Sequence, residues 1–180
     1  MRHPERPHRV RLGGQGAAAR RRHIIMSIDP IDFRQALGRF ASGVTIVTMR
    51  GDDGEVRGIT VSAFLSLSLA PPLVGVAIDR RARAHALLGR VPRFAVSVLS
   101  AEQEGLSNHF AGRSPDLDDD PFASLADHPV IRGALAQLVC RVVERVPTGD
   151  HTLFVGEIEA IDLGEGDPLA YYRGDYRRLS

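Results

Sequence analysis

The sequence predicts a mainly β protein, an antiparallel sheet closed into a small barrel with short helices at its ends. Three observations carry this. Strand-like stretches dominate, and short turns join many of them. One stretch, Gly58 to Leu69, alternates with a period of two: Val61, Ala63, Leu65, Leu67 and Leu69 share one face, Thr60, Ser62, Phe64, Ser66 and Ser68 the other. Helices do not alternate regularly with strands, as a doubly wound parallel sheet requires. The glycine fingerprint of that fold is absent after a strand, since Gly13-Gly14-Gln15-Gly16 lies in the wrong context.

Taken in order, Ser27 to Arg39 reads as a helix with Asp29 as cap and Pro30 in its first turn; Phe33, Ala36, Leu37 and Phe40 follow at helical spacing. Val44 to Thr48 is strand-like, and Gly51-Asp52-Asp53-Gly54 is a turn. In the alternating stretch the odd-numbered face is expected to meet the core. Pro71-Pro72 stops it, and Leu73 to Ile78 is a further strand. Ala82 to Leu88 reads as a short helix, Phe94 to Leu99 as a strand, Ala101 to Ala111 as a helix, and Arg113 to Pro129 as an Asp- and Pro-rich loop. Leu135 to Val146 and Thr152 to Ile161 form a hairpin around Pro147-Thr148-Gly149-Asp150, and Leu169 to Arg177 adds a last strand.

The chain of 180 residues suits one domain, and 43% hydrophobic residues suffice for a core. The domain is expected over residues 27–180, behind a basic, disordered tail at 1–26. That tail holds seven of the 23 arginines against Glu5 alone, so the remainder is acidic although the whole carries +1. Its composition lacks the apolar run of an export signal, and the chain has none long enough for a membrane helix. A cytoplasmic protein is expected, with neither membrane nor nucleic acid as partner. The single cysteine, Cys140, falls in an apolar strand pattern and is expected to be buried and inert.

Three groups could carry chemistry. The hydroxyls of Thr60, Ser62, Ser66 and Ser68 would suit the polar rim of a planar heterocycle, and equally the solvated side of a sheet. Arg80, Arg81 and Arg83 cluster where a strand passes into a helix; such a cluster holds phosphate or is simply solvated. His151 follows the turn directly, either as a ligand contact or as a turn-flanking residue. No histidine pair or acidic cluster has metal-ligand spacing, so no metal site is expected.

Read together, several stretches resemble one family: FRQALGRFASGVTIVT (33–48), GITVSAFLSLSLAPPLVGVAIDR (58–80), RFAVSVLS (93–100), HFAGR (109–113), GALAQLVCRVVERVPTGDHTLFVGEIEAI (133–161) and LAYYRGDYRRL (169–179). In this order they resemble the short-chain flavin reductases, the reductase components of two-component flavin monooxygenases. The resemblance implies an antiparallel split β-barrel of the Greek-key, FMN-binding type with a few short flanking helices. It also implies a homodimer, and hydride transfer from NADH or NADPH to FMN or FAD, with transient transfer of reduced flavin to a monooxygenase component. By position, Arg57, Gly58, Ile59, Thr60, Ser62 and Ala63 would line the flavin ring. Ala77, Ile78, Asp79, Arg80, Arg81, Ala82 and Arg83 would cradle the ribityl chain and phosphate. His109 and Phe110 would close the far side, and Gly149, Asp150 and His151 would approach the nicotinamide, with His151 as the catalytic group. Where many members carry hydroxyls at 82–84, this chain has Ala82, Arg83 and Ala84. A flavin- or nucleotide-binding barrel without reductase activity is the alternative.

Overall fold

The computed structural model describes residues 28–114, 117 and 119–179; the expected tail at 1–26 lies outside them. Helix α1 (Pro30–Leu37) starts where Asp29 Oδ1 accepts the Ile31 N–H at 2.6 Å. After it come β1 (Ser42–Gly43), β2 (Thr45–Arg50), β3 (Val56–Val61), β4 (Phe64–Leu69) and β5 (Pro72–Asp79). Helix α2 (Arg83–Leu88), β6 (Arg93–Val98), a 3-10 turn at Ala101–Gln103 and α3 (Glu104–Phe110) follow. The chain ends in β7 (Phe122–Leu125), β8 (His128–Ile131), β9 (Ala136–Thr148), β10 (His151–Leu163), β11 (Ala170–Tyr172) and β12 (Asp175–Arg177).

Seven strands form one antiparallel sheet in the order β3-β2-β6-β9-β10-β5-β4. The expected closure into a complete barrel does not occur: β3 and β4 remain edges of the ladder. They are joined instead by the chain itself, which passes from β3 to β4 through Ser62-Ala63, where Ala63 C=O accepts the Ala77 N–H of β5 at 3.0 Å. The sheet thus curls around a core built from nearly every strand, including Met49, Val61, Val76, Phe94, Cys140 and Phe154, and remains split at the bend.

The bend also overturns the expected inward face. Ile59 and Val61 pack on the core before it. Two residues outside the ladder then reverse the parity, so Phe64 packs inward while Leu65 and Leu69 are 51% and 91% exposed, with Leu67 also outward. A register shift between Ser66 and Ser68 bends β4 again.

Two turns were hidden in the sequence. The expected loop at 113–129 contains the β7–β8 hairpin, turning on Ala126 and Asp127 at φ 45° and 60°. The expected last strand is the β11–β12 hairpin, turning on Arg173 and Gly174 at φ 55° and 85°. Two consecutive left-handed residues make the turn that favours strand twist, but Ala-Asp lacks the usual Asn-Gly signature. Helix α1 carries its apolar residues at the expected spacing and buries none of them.

Candidate active site

The bend places backbone at the split. Residues Ile59 to Ala63 on one side, and Ala77, Ile78 and Asp79 at the end of β5 on the other, enclose a trough of about 230 Å³. Ala82 and His151 complete its walls. Ile59, Val61 and Ile78 line it with three alanines, and Thr60, Ser62, Asp79 and His151 are its polar residues. The Thr60 hydroxyl is already engaged, donating to Ser107 C=O of α3 at 2.7 Å. Ser66 and Ser68 lie past the bend on β4, so the expected hydroxyl face is divided between two strands.

His151 reaches the trough because β9 and β10 meet in a two-residue turn, with Thr148 paired to His151. Gly149 stands at φ 61°, which a side chain at this first turn position would strain. Register then sets His151 opposite Asp79 of β5. The His151 Nδ1 lies 2.7 Å from Asp150 Oδ1. The hydrogen bond from His151 holds the Asp150 carboxyl below its ordinary range. With its proton on Nδ1 facing Asp150, the ring has Nε2 left for a ligand.

The three clustered arginines do different things. Arg80 clamps the turn to the end of β5: its N–H donates to Asp150 C=O at 3.0 Å and its guanidinium to Gly149 C=O. Arg81 forks onto Asp79, 2.7 Å at the closest, and those hydrogen bonds hold the Asp79 carboxyl well below the carboxylate range. Arg83 faces a second cavity of about 540 Å³, next to the trough, where Arg57 and Gly58 also sit. Arg57 is paired with Asp53 at 3.2 Å and with Glu55. The expected ring-lining set therefore separates, Ile59 to Ala63 in the trough and Arg57 with Gly58 in the neighbouring chamber.

His109 and Phe110 sit behind β3. A Cβ on Gly58 would come within 2.6 Å of the Phe110 ring, so Gly58 is the residue that lets α3 pack this closely. The His109 ring meets Phe110 edge-on at 4.9 Å. Sequence reasoning missed Arg90, Leu87 and Asp52, which also line the chamber. Arg90 lies just past the Gly89 cap of α2, where helical spacing gives no signal, and Asp52 was read only as part of a turn. Missed too was the contact that docks α2 on the barrel, His85 Nε2 to Thr152 Oγ1 at 2.9 Å, one residue beyond His151.

Known proteins resemble this chain in sequence and fold. The family described as flavin reductase like domain matches residues 37–180. An NADH-dependent flavin reductase of Rhodococcus sp is 44% identical over 84% of this chain and 88% of its own. The reductase component of 4-hydroxyphenylacetate 3-monooxygenase from Thermus thermophilus is 46% identical over 82% of this chain and 95% of its own. Among solved structures, flavin reductase PheA2 in its native state superposes with a TM-score of 0.82 at 43% identity, covering 85% of this chain and 99% of that one. The NADH:FAD oxidoreductase SgcE6 of Streptomyces globisporus C-1027, in complex with NAD and FAD fragments, superposes at 0.79 with 37% identity, covering 84% and 93%. By matched length and identity, the chain belongs to the flavin reductase-like domain family.

Proposed function

We propose that this protein is an NAD(P)H:flavin oxidoreductase that reduces FMN or FAD and hands the reduced flavin to a separate monooxygenase component. The observation that carries the reading is the trough at the split, where Ile59, Val61 and Ile78 stand beside polar Ser62 and Asp79, with His151 held on its rim by Asp150. Its walls suit the face of a planar ring, while backbone groups of the bend can meet the ring's carbonyl and N–H edge. When bound, flavin and nicotinamide would supply the redox chemistry, hydride transfer between the two rings. The chain's part is positioning. Ile59 to Ala63 and Ala77 to Asp79 would fix the ring plane, and Arg83, which no carboxylate pairs among the described residues, would hold the flavin phosphate. His151 Nε2 orients the nicotinamide by a hydrogen bond, with Asp150 setting which nitrogen is offered.

A dimer belongs to the same reading. Helix α1 buries none of its residues, Phe33 within it and Phe40 beyond its end are exposed, and β4 turns Leu65, Leu67 and Leu69 outward. A second copy of the chain covers such surfaces with one self-complementary contact. A nicotinamide-dependent reductase works where reduced nicotinamide is kept, which puts this one in the cytoplasm.

The test is anaerobic titration with NADH and with NADPH, using FMN, FAD and riboflavin in parallel. Bleaching of the flavin absorbance on adding catalytic protein is expected; binding of flavin without reduction by either dinucleotide would turn the reading into the non-enzymatic alternative.

A further inference from the structure

We propose that His85 is a positioning residue for the nicotinamide step: it acts through Thr152 and holds His151 at a set place across the trough from Ala82. The inference rests on the reading of His151 as the group that orients the nicotinamide. The trough closes between two residues of different elements, Ala82 at the start of α2 and His151 at the start of β10. Its width there is set by how α2 lies against β10.

One side-chain hydrogen bond joins these two elements beside both residues. His85 Nε2 lies 2.9 Å from Thr152 Oγ1. His85 stands one helical turn past Ala82, and its N–H donates to Ala82 C=O at 3.0 Å. Thr152 follows His151 directly, and the two pair with Ile78 and Asp79 of β5. Thr152 and Phe154 project from the same face of β10. The His85 ring meets the Phe154 ring edge-on at 5.5 Å, a packing that fixes its plane beside the hydroxyl. Thr152 is buried, and its hydroxyl has no other partner among the described residues. A buried hydroxyl without a partner is costly, so the pair stays together.

The neighbouring hydrogen bonds act elsewhere. Asp150 bonds His151 from within the same turn, so it orients the ring relative to that turn alone. Arg80 fastens the turn, and the Ala82 N–H the start of α2, to the end of β5; neither joins α2 to β10. Ala82 caps α2 without a side-chain hydrogen bond. Leu88, fully buried, anchors the far end of the helix in the core. Leu88 thus keeps α2 docked, while His85 sets where its first turn lies.

The experiment uses the full chain under anaerobic conditions. His85→Leu keeps an apolar contact with Phe154 and a good helix former while removing the hydrogen bond. Thr152→Val removes it from the other side and keeps the shape. Each should lower kcat/KM for NADH by roughly tenfold, with flavin affinity, read by fluorescence quenching, within about twofold of wild type. The double variant should be no worse than either single one. His85→Gln, whose amide reaches the place of Nε2, should restore most of the loss. In a His151→Ala background, His85→Leu should cost nothing further, because its effect passes through that imidazole. An unchanged kcat/KM, a loss that Gln does not restore, or a loss that adds in full to that of His151→Ala overturns the proposal. A second readout needs no turnover. The ring-nitrogen resonances of His151 in isotope-labelled protein, assigned with His151→Ala, should shift or broaden in His85→Leu and return in His85→Gln. Unchanged resonances overturn the proposal as well. A wild-type protein that reduces no flavin overturns the enzyme reading, and these resonances then still decide whether His85 places His151.

Discussion

At the scale of single residues, the proposed function turns on which atom His151 offers. Asp150 takes Nδ1 at 2.7 Å, and the Gly149 turn aims the ring across the trough. On the proposed function, removing the imidazole would remove an orienting contact and leave the redox partners intact. His151→Ala should therefore lower kcat/KM for NADH by about tenfold to a hundredfold, with flavin binding little changed. Asp150→Asn should give a smaller loss, since the ring stays but its tautomer is no longer set. An unchanged kcat/KM in His151→Ala would remove the residue from the mechanism. Cys140 lies at the opposite extreme. It is fully buried among Phe94 and Val96, and burial pushes its thiol up to about 12. Thiol reagents at mildly alkaline pH should not modify it until the protein is denatured, a result readable by mass spectrometry.

At the scale of elements, the β3–β4 bend and the β7–β8 hairpin shape the molecule. The hairpin carries His128, 6% exposed, near Thr48 C=O of β2. Burial holds this imidazole below its ordinary value of 6.5, and the charges of Arg93 and Arg50 press in the same direction. The sign follows from linkage. The unfolded chain binds a proton near its ordinary value while the folded chain resists until lower pH. Stability is thus fully present above that value and is lost as pH falls through it toward the folded value. Thermal unfolding from about pH 7.5 down to about 5 should show a falling Tm, and His128→Phe should fall less steeply over the same range. Equal slopes would mean that other groups carry the acid sensitivity. The bend is the element through which sequence and function connect. One alternating run in the chain becomes two strands with opposite inward parity, and the trough lies at the break.

At the scale of the whole molecule, the outward Leu65 and Leu69 and the unburied face of α1 predict a mass of two chains in solution by light scattering. Phe33→Asp combined with Leu69→Asp should yield a folded monomer, because both side chains are exposed in the protomer. A wild-type monomer at every concentration would refute the dimer. Much of this was legible in the chain itself. The capped helix at Asp29, the period-two strands, the Gly149 turn and the buried Cys140 all follow from local chemistry acting on neighbouring residues. The motifs from Phe33 to Leu179 also indicated the family. Other features required distant segments to meet. Parity alone could not locate the bend at Ser62-Ala63, because alternation runs through it unbroken; the reversal arises where Ala63 pairs with Ala77 of β5. Nor could spacing tell that Arg80 and Arg81 are spent on Asp150, Gly149 and Asp79 while Arg83 faces a chamber shared with Arg90 and Asp52. Sequence determined the strands, the turn and the kinds of residue at the site, since those depend on local propensity and pattern. Tertiary structure alone decided which face is inward and which charges are left for a ligand, since both depend on partners brought together only by the curled sheet.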